Sequence, residues 1–180
     1  MKSAQIHYDA ATQFEQKGDA KSAKDQYAKA LVNAKLANGD PSLISMLTYN
    51  YGKMLGHTCE YETSVEQLSK ALDLEKTITG PNSGTTCMRL FELARLNHDN
   101  GYFKKAAGYF DEGIPVIEKL DIISTDPIGY SLLLAVYKKS LDELYRENES
   151  KEVQKKIDSL VAKNPGKKPG FTPLSYKCNK

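Results

Sequence analysis

The stretch Asn97-His98-Asp99-Asn100-Gly101-Tyr102-Phe103-Lys104-Lys105-Ala106-Ala107-Gly108-Tyr109-Phe110 constrains this chain more than any other, because its grammar recurs. A turn ending in glycine, an aromatic two residues later, a small residue three after that and an aromatic four further on describe the elbow of a helical hairpin. Gly101 is suited to the positive φ that ends one helix. Ala106 and Phe110 sit one turn apart on the next helix, on the face that points back at the first. The small residue lets the two backbones approach, and the ring fills the space beside it.

The same pattern runs through Gly18-Asp19, Ala23, Tyr27, Ala30 and Leu31, and again through Cys59-Glu60-Tyr61, Ser64, Leu68, Ala71 and Leu72. In the third copy Gly101 leads to Phe103, Ala106, Phe110, Gly113 and Ile114. A looser fourth contains Val153, Ile157, Leu160 and Val161, followed by Pro165. Upstream of each elbow stands a small or apolar residue: Ala11, Gly52, Ala94 and, in the fourth, Leu141. Their separations are 41, 42 and 47 residues. Repetition at this period marks an array of supersecondary units, each unable to bury its apolar face alone.

Apolar spacing is helical throughout, as in Ala23, Tyr27, Ala30, Leu31 and Ala34 or Ala106, Phe110, Ile114 and Ile117. No segment shows the strict alternation of a half-exposed strand. Asp40-Pro41 and Asp126-Pro127 each pair an N-cap with a proline at the first helical position, and Ser83 is placed to cap a third helix. These signals predict helices near 3–16, 19–37, 41–57, 61–78, 84–98, 102–120, 127–147 and 149–163. Pro115 should kink the sixth or end it early, because it removes one helical hydrogen bond.

At 180 residues the chain can bury a sizeable core without staples. Cys59, Cys87 and Cys178 are an odd, sparse set without C-x-x-C spacing, read as free thiols of a reducing, cytoplasmic setting. The N-terminus lacks the apolar centre of a signal peptide, and the longest apolar run, Leu132 to Tyr137, is too short to span a bilayer. Five of the 25 basic residues lie after residue 162 and none of the 23 acidic ones does, so residues 1–162 carry three more acids than bases. A mildly acidic body with a basic tail offers no footprint for nucleic acid. From Pro165 onward three prolines and two glycines forbid a helix, so 166–180 is expected to be an extended or disordered basic tail. Its Phe171, Leu174 and Tyr176 are apolar anchors that a purely solvated tail would not need.

With the repeat laid out, residues 3–165 resemble the tetratricopeptide repeat (TPR) family. The small-to-aromatic spacing, the Gly18-Asp19 elbow, the Ala30-Leu31 pair and the trailing Pro165 carry the likeness. The period exceeds the usual unit of about 34 residues. Ala71-Leu72-Asp73-Leu74-Glu75 followed by Thr79-Gly80-Pro81-Asn82 looks like the longer repeats of kinesin light chains. Cys59 in place of the elbow glycine, Ser64 and Val153 at small positions, Gly113 where alanine is usual and the missing early tryptophan are departures. The resemblance implies an all-α, right-handed superhelical solenoid of about four antiparallel helix-turn-helix repeats, at 3–38, 41–80, 83–121 and 126–165, within a domain spanning 1–165. First helices would line a concave groove, and the last helix would cap the array.

Candidate chemistry is scarce. There is no G-x-S-x-G, no phosphate-cradling glycine loop and no H-E-x-x-H, and no catalytic, cofactor or metal residue is assigned. His57 and His98 fall near the same end of neighbouring first helices, but without paired-ligand spacing they read as polar helix-end residues. In the resembling family the groove is lined by residues three before, two before and one after the upstream small position. Here these are Tyr8, Asp9 and Thr12; Tyr49, Asn50 and Lys53; Phe91, Glu92 and Arg95; and Lys138, Lys139 and Asp142. Asn50 could hydrogen-bond a peptide backbone, while Lys53 and Arg95 could hold a carboxylate. The competing reading makes Tyr49 and Phe91 core and the charges a solvated face.

The expectation is a non-enzymatic adaptor that binds a peptide or helix of another protein in its groove, with no nucleic acid, no membrane insertion and an open oligomeric state. A regulator whose superhelix responds to a short signalling peptide is the alternative. A helical-bundle enzyme or metal protein is the third reading.

Overall fold

A computed structural model describes residues 2–120, 123–170 and 175–176. The chain forms two compact units, one of Met1–Pro81 with Tyr176–Lys180 and one of Asn82–Ser175. The first contains α1 (Lys2–Gln16), α2 (Ala20–Leu36), α3 (Pro41–His57) and α4 (Tyr61–Thr79). In the second are α5 (Gly84–Asp99), α6 (Phe103–Ile117), α7 (Pro127–Glu143) and α8 (Glu147–Lys163). All regular structure among the described residues is helical, and each unit holds two hairpins.

Side-chain caps start four of these helices. The Asp40 carboxylate accepts from the Ser42 amide at 2.8 Å, Asp126 from Gly129 at 2.8 Å, Asp19 from Ser22 at 3.0 Å and the Ser83 hydroxyl from Thr86 at 3.1 Å. Each satisfies an amide that the first helical turn would otherwise leave without a partner. Helix α6 stops at Ile117, two residues past Pro115 and short of the anticipated 120.

The four elbows share one backbone geometry. Gly18, Cys59, Gly101 and Tyr145 have φ of 76°, 67°, 81° and 56°. The following amide reaches back to a carbonyl five residues earlier: Asp19 to Phe14 at 2.9 Å, Glu60 to Leu55 at 2.9 Å, Tyr102 to Asn97 at 2.8 Å and Arg146 to Leu141 at 3.0 Å. This is the Schellman closure, in which a left-handed residue ends the helix and the next amide satisfies one of its last carbonyls.

The elbows also correct the phase of the fourth repeat. They lie 41, 42 and 44 residues apart, so counting back from Tyr145 places Lys138, not Leu141, where Ala11, Gly52 and Ala94 stand. Leu141 is instead the counterpart of Phe14, Leu55 and Asn97. Ser150, 4% exposed, takes the place of Ala23, Ser64 and Ala106, rather than Val153. The sequence pattern missed this because Tyr145 adopts a conformation that favours glycine, and no glycine marks the turn.

In the first unit α1 and α2 close on Ala4, Ala11, Ala23, Tyr27, Ala30 and Ala34, with Leu47 and Met54 of α3 completing the cluster. Helices α3 and α4 approach more closely still. A Cβ added to Gly52 would lie 2.9 Å from Leu68 Cγ and 3.1 Å from the Leu68 amide nitrogen, and the Ser64 hydroxyl donates to the Gly52 carbonyl at 2.7 Å. Serine is tolerated at this small position because its hydroxyl finds that carbonyl inside the contact.

The second unit is centred on Phe110, which is fully buried between Phe91, 5.9 Å away by ring centroids, and Tyr137, at 5.1 Å. Leu134, Leu141 and Val153 extend this core toward α8. A Cβ on Gly113 would meet the Phe91 ring at 2.6 Å, so the space that alanine would fill is taken by the ring. The departure from the usual small residue therefore has a packing cause.

Cys59 is disulfide-bonded, which corrects its reading as a free thiol, whereas Cys87 is a free, buried thiol. The third cysteine, Cys178, lies outside the described residues, as do Phe171 and Leu174 of the tail. Tyr176 is 2% exposed, with its ring 4.5 Å from that of His57 in the first unit. In the second unit the Gly170 amide donates to Asp126 Oδ2 at 3.0 Å, and the Ser175 hydroxyl donates to Asp99 Oδ2 at 3.2 Å.

Candidate functional site

In the first unit the anticipated residues of α1 and α3 surround a carboxylate that the sequence did not single out. Tyr49 is buried, and Lys53 Nζ lies 5.6 Å from its ring centroid and 3.1 Å from Glu15 Oε1. The other Glu15 oxygen accepts the Tyr27 hydroxyl at 2.6 Å, and the Tyr8 ring packs 6.1 Å from that of Tyr27. Partial burial pushes the Glu15 carboxyl up, but hydrogen bonds from Tyr27 and Lys53 outweigh it and hold the group below the usual carboxylate range. Burial and the same bond raise the Tyr27 phenol. Thr12 turns its hydroxyl onto the Asp9 carbonyl at 2.9 Å, and Asn50 is partly buried.

Glu15 stands three residues before the first elbow. Its counterpart in the fourth repeat is Asp142, which accepts Lys138 Nζ at 2.7 Å and the Ser150 hydroxyl. These hydrogen bonds, that from Lys138 foremost, lower the Asp142 carboxyl. Lys138 and Asp142 thus form an i,i+4 pair across one turn. With the corrected phase, the fourth-repeat counterpart of Tyr8, Tyr49 and Phe91 is Ala135, so the aromatic row of the first three repeats is interrupted there.

In the second unit Phe91, Glu92 and Arg95 lie together on one face of α5. Arg95 Nη1 is 3.1 Å from Glu92 Oε2 and 3.3 Å from Oε1, with both side chains largely buried. Beside them opens a pocket of about 210 Å³, walled by Met88 and Phe91 of α5, Ile117 of α6, and Tyr130 and Leu133 of α7. Asp126 forms part of its lip. Tyr130 stays oriented because its hydroxyl donates to Glu118 Oε1 at 2.9 Å, an oxygen that also receives Lys156 Nζ at 2.7 Å. Burial and the bond to Glu118 push the Tyr130 phenol well above its usual value.

The lining of this pocket is mostly apolar. Its walls are rings and aliphatic chains, and its polar groups are a paired guanidinium, a carboxylate at the rim and a capped helix start. His98, read from the sequence as a polar helix-end residue, points Nδ1 at the Ser140 hydroxyl at 2.8 Å and packs edge-on to Phe103. No group of three or more His, Cys, Asp or Glu side chains among the described residues could hold a metal ion. None of the described helices is long and apolar enough to cross a membrane.

Among solved structures, BtubC (BKLC) from P. vanneervenii superposes with a TM-score of 0.82 at 14% identity, covering 96% of this chain and 68% of that one. The fold is that of a TPR-like helical repeat. A second TPR-like neighbour, the putative kinesin light chain nearly identical TPR-like repeats of Podosopora anserina, has a TM-score of 0.54 at 10% identity over 91% of this chain and 97% of its own. A point variant of those repeats gives the same TM-score over 88% and 94%. No protein-family profile and no curated protein matches the sequence. At 10% to 14% identity the likeness to these structures is one of fold.

Sequence reasoning found Phe91, Glu92 and Arg95 but not Met88, Ile117, Tyr130 or Leu133. The last two carried a faint signal, three residues apart just inside the Pro127 start of α7. What no pattern along the chain could show is that α6, shortened after Pro115, leaves its last isoleucine facing both.

Proposed function

We propose that this chain is a non-enzymatic interaction module that binds a peptide or helical segment of another protein on its first-helix faces. A TPR-like fold suggests a protein-interaction scaffold in general. The observation that carries the finer reading is the apolar pocket on the α5 face, which adjoins Phe91, Glu92 and Arg95. Apolar sockets flanked by a few fixed polar groups are how extended peptides are read, with pockets supplying specificity and polar groups supplying register.

The test uses Met88, which is 53% exposed at the pocket wall and can be changed without emptying the core. A peptide library is panned against the immobilised full chain, and the selected peptides are measured on wild type and on Met88→Glu. Peptides that bind wild type but lose about tenfold or more on a variant with an unchanged melting temperature support this face. Selected peptides that bind both equally place recognition elsewhere.

A further inference from the structure

We propose that the groove between α2 and α4 in the first unit docks an acidic segment of a partner protein, with a carboxylate of that segment held between Lys35 and Lys70. The site belongs to the first unit and does not rest on the α5-face reading. A cavity of about 360 Å³ opens here over α3. Ile44 of α3 and Leu74 of α4 are half-buried in its lining, while Lys35 of α2 and Lys70 and Asp73 of α4 are exposed around it.

The second unit shows what this groove lacks. Lys35 and Glu118 each stand 17 residues past an elbow, at Gly18 and Gly101, and Lys70 and Lys156 each stand 11 past Cys59 and Tyr145. Ile44 and Tyr130 each stand 15 before those last two elbows. In the second unit Glu118 ties the end of α6 to both neighbours, accepting the Tyr130 hydroxyl of α7 at 2.9 Å and Lys156 Nζ of α8 at 2.7 Å. In the first unit a lysine stands in the place of that carboxylate and an isoleucine in the place of the tyrosine. Lys35 makes no ion pair among the described residues. Lys70 reaches Glu66, one turn back on its own helix, at 2.6 Å, with both side chains more than half exposed. Such a pair is weak and gives way to a better-placed acceptor. A carboxylate brought between the two lysines would supply the acceptor that Glu118 supplies in the second unit, and would hold two cations by charge-assisted hydrogen bonds. Val32, three residues before Lys35 on the same face of α2, is also exposed, so apolar side chains adjoin the cations. The occupant is therefore a segment with an aliphatic residue beside its glutamate or aspartate. Asp73, one turn beyond Lys70, repels a carboxylate from that end of the groove and so fixes its register.

The first test needs no partner. Lys35→Glu restores the acid of the second unit, so its advantage in melting temperature over Lys35→Gln at low salt should be larger in the wild-type background than with Lys70→Gln added. For the second test, a library of helical peptides about 15 residues long, with leucine and glutamate fixed one turn apart, is panned against the immobilised full chain. Selected peptides should shift the labelled methyls of Ile44 and Leu74 and bind Asp73→Asn more tightly than wild type. They should lose about tenfold or more in affinity on Lys35→Glu, and a similar factor when glutamine replaces the fixed glutamate. Equal advantages in the two backgrounds would show that positions 35 and 70 do not face each other and would overturn the proposal. So would a library that yields no binder, or glutamine peptides that bind as well as their parents. Peptides that are lost on Met88→Glu but kept on Lys35→Glu would also overturn it while supporting the α5 face, so the two readings fail separately.

Discussion

The Arg95 guanidinium lies 3.1 Å from the Glu92 carboxylate one turn earlier on α5, and their side chains are only 11% and 7% exposed. The sequence suggests a cation waiting for a ligand carboxylate, whereas the fold supplies one internally. Removing one partner of a buried pair leaves the other charged and poorly solvated, at a cost of about 3–5 kcal/mol. Arg95→Ala should therefore lower urea stability well beyond the ~0.5 kcal/mol expected of a surface site, and Glu92→Ala, Arg95→Ala should lose less than the sum of the single changes. Additive effects below about 1 kcal/mol each would mean that the pair is solvated in solution.

Glu15 predicts a dependence on pH. Its folded pKa is depressed below 4.5, so its contribution is complete above that value and is lost as pH falls through the folded pKa. Glu15→Gln should be less stable than wild type at neutral pH, and the gap should close on acidification below about 4.5. Urea midpoints measured between pH 3 and about 7 give the comparison. A gap that stays constant across this range would remove the charge from the explanation.

Tyr145 occupies a left-handed elbow at φ 56° and is 88% exposed, so its side chain gives little in return for the strained backbone. Tyr145→Gly should stabilise the chain by roughly 1 kcal/mol, the difference between a strained non-glycine residue and a permissive one less the entropy that glycine loses. Thermal or urea melting checks this. An unchanged or lower midpoint would show that the elbow is held without strain.

Cys59 is disulfide-bonded and Cys87 is free and buried. In the denatured, unreduced chain Cys87 should accept an alkyl group and Cys59 should not, as a peptide map will show. After reduction all three should react. Three reactive thiols before reduction would return Cys59 to the free state. Burial raises the Cys87 thiol, as does nearby Glu112, so in the folded chain it should alkylate slowly at neutral pH.

Sequence alone determined the helices, three of the four elbows and the helix starts, because each is local. Gly18 and Gly101 announce a left-handed turn, Asp40 and Asp126 announce a cap, and the three- and four-residue spacing of Ala106, Phe110 and Ile114 announces a buried stripe. Tertiary structure decided the rest. Tyr145 turns where its own preference opposes it, because the hairpin of α7 and α8 is held by packing around Leu141 and Val153, and that shifts the fourth repeat by three residues. Glu15 and Lys53 meet across 38 residues, and the pocket combines side chains of α5, α6 and α7 with the lip at Asp126. Such partners are chosen by the distance between helices, which depends on every small residue packed between them and is written in no single stretch of the chain.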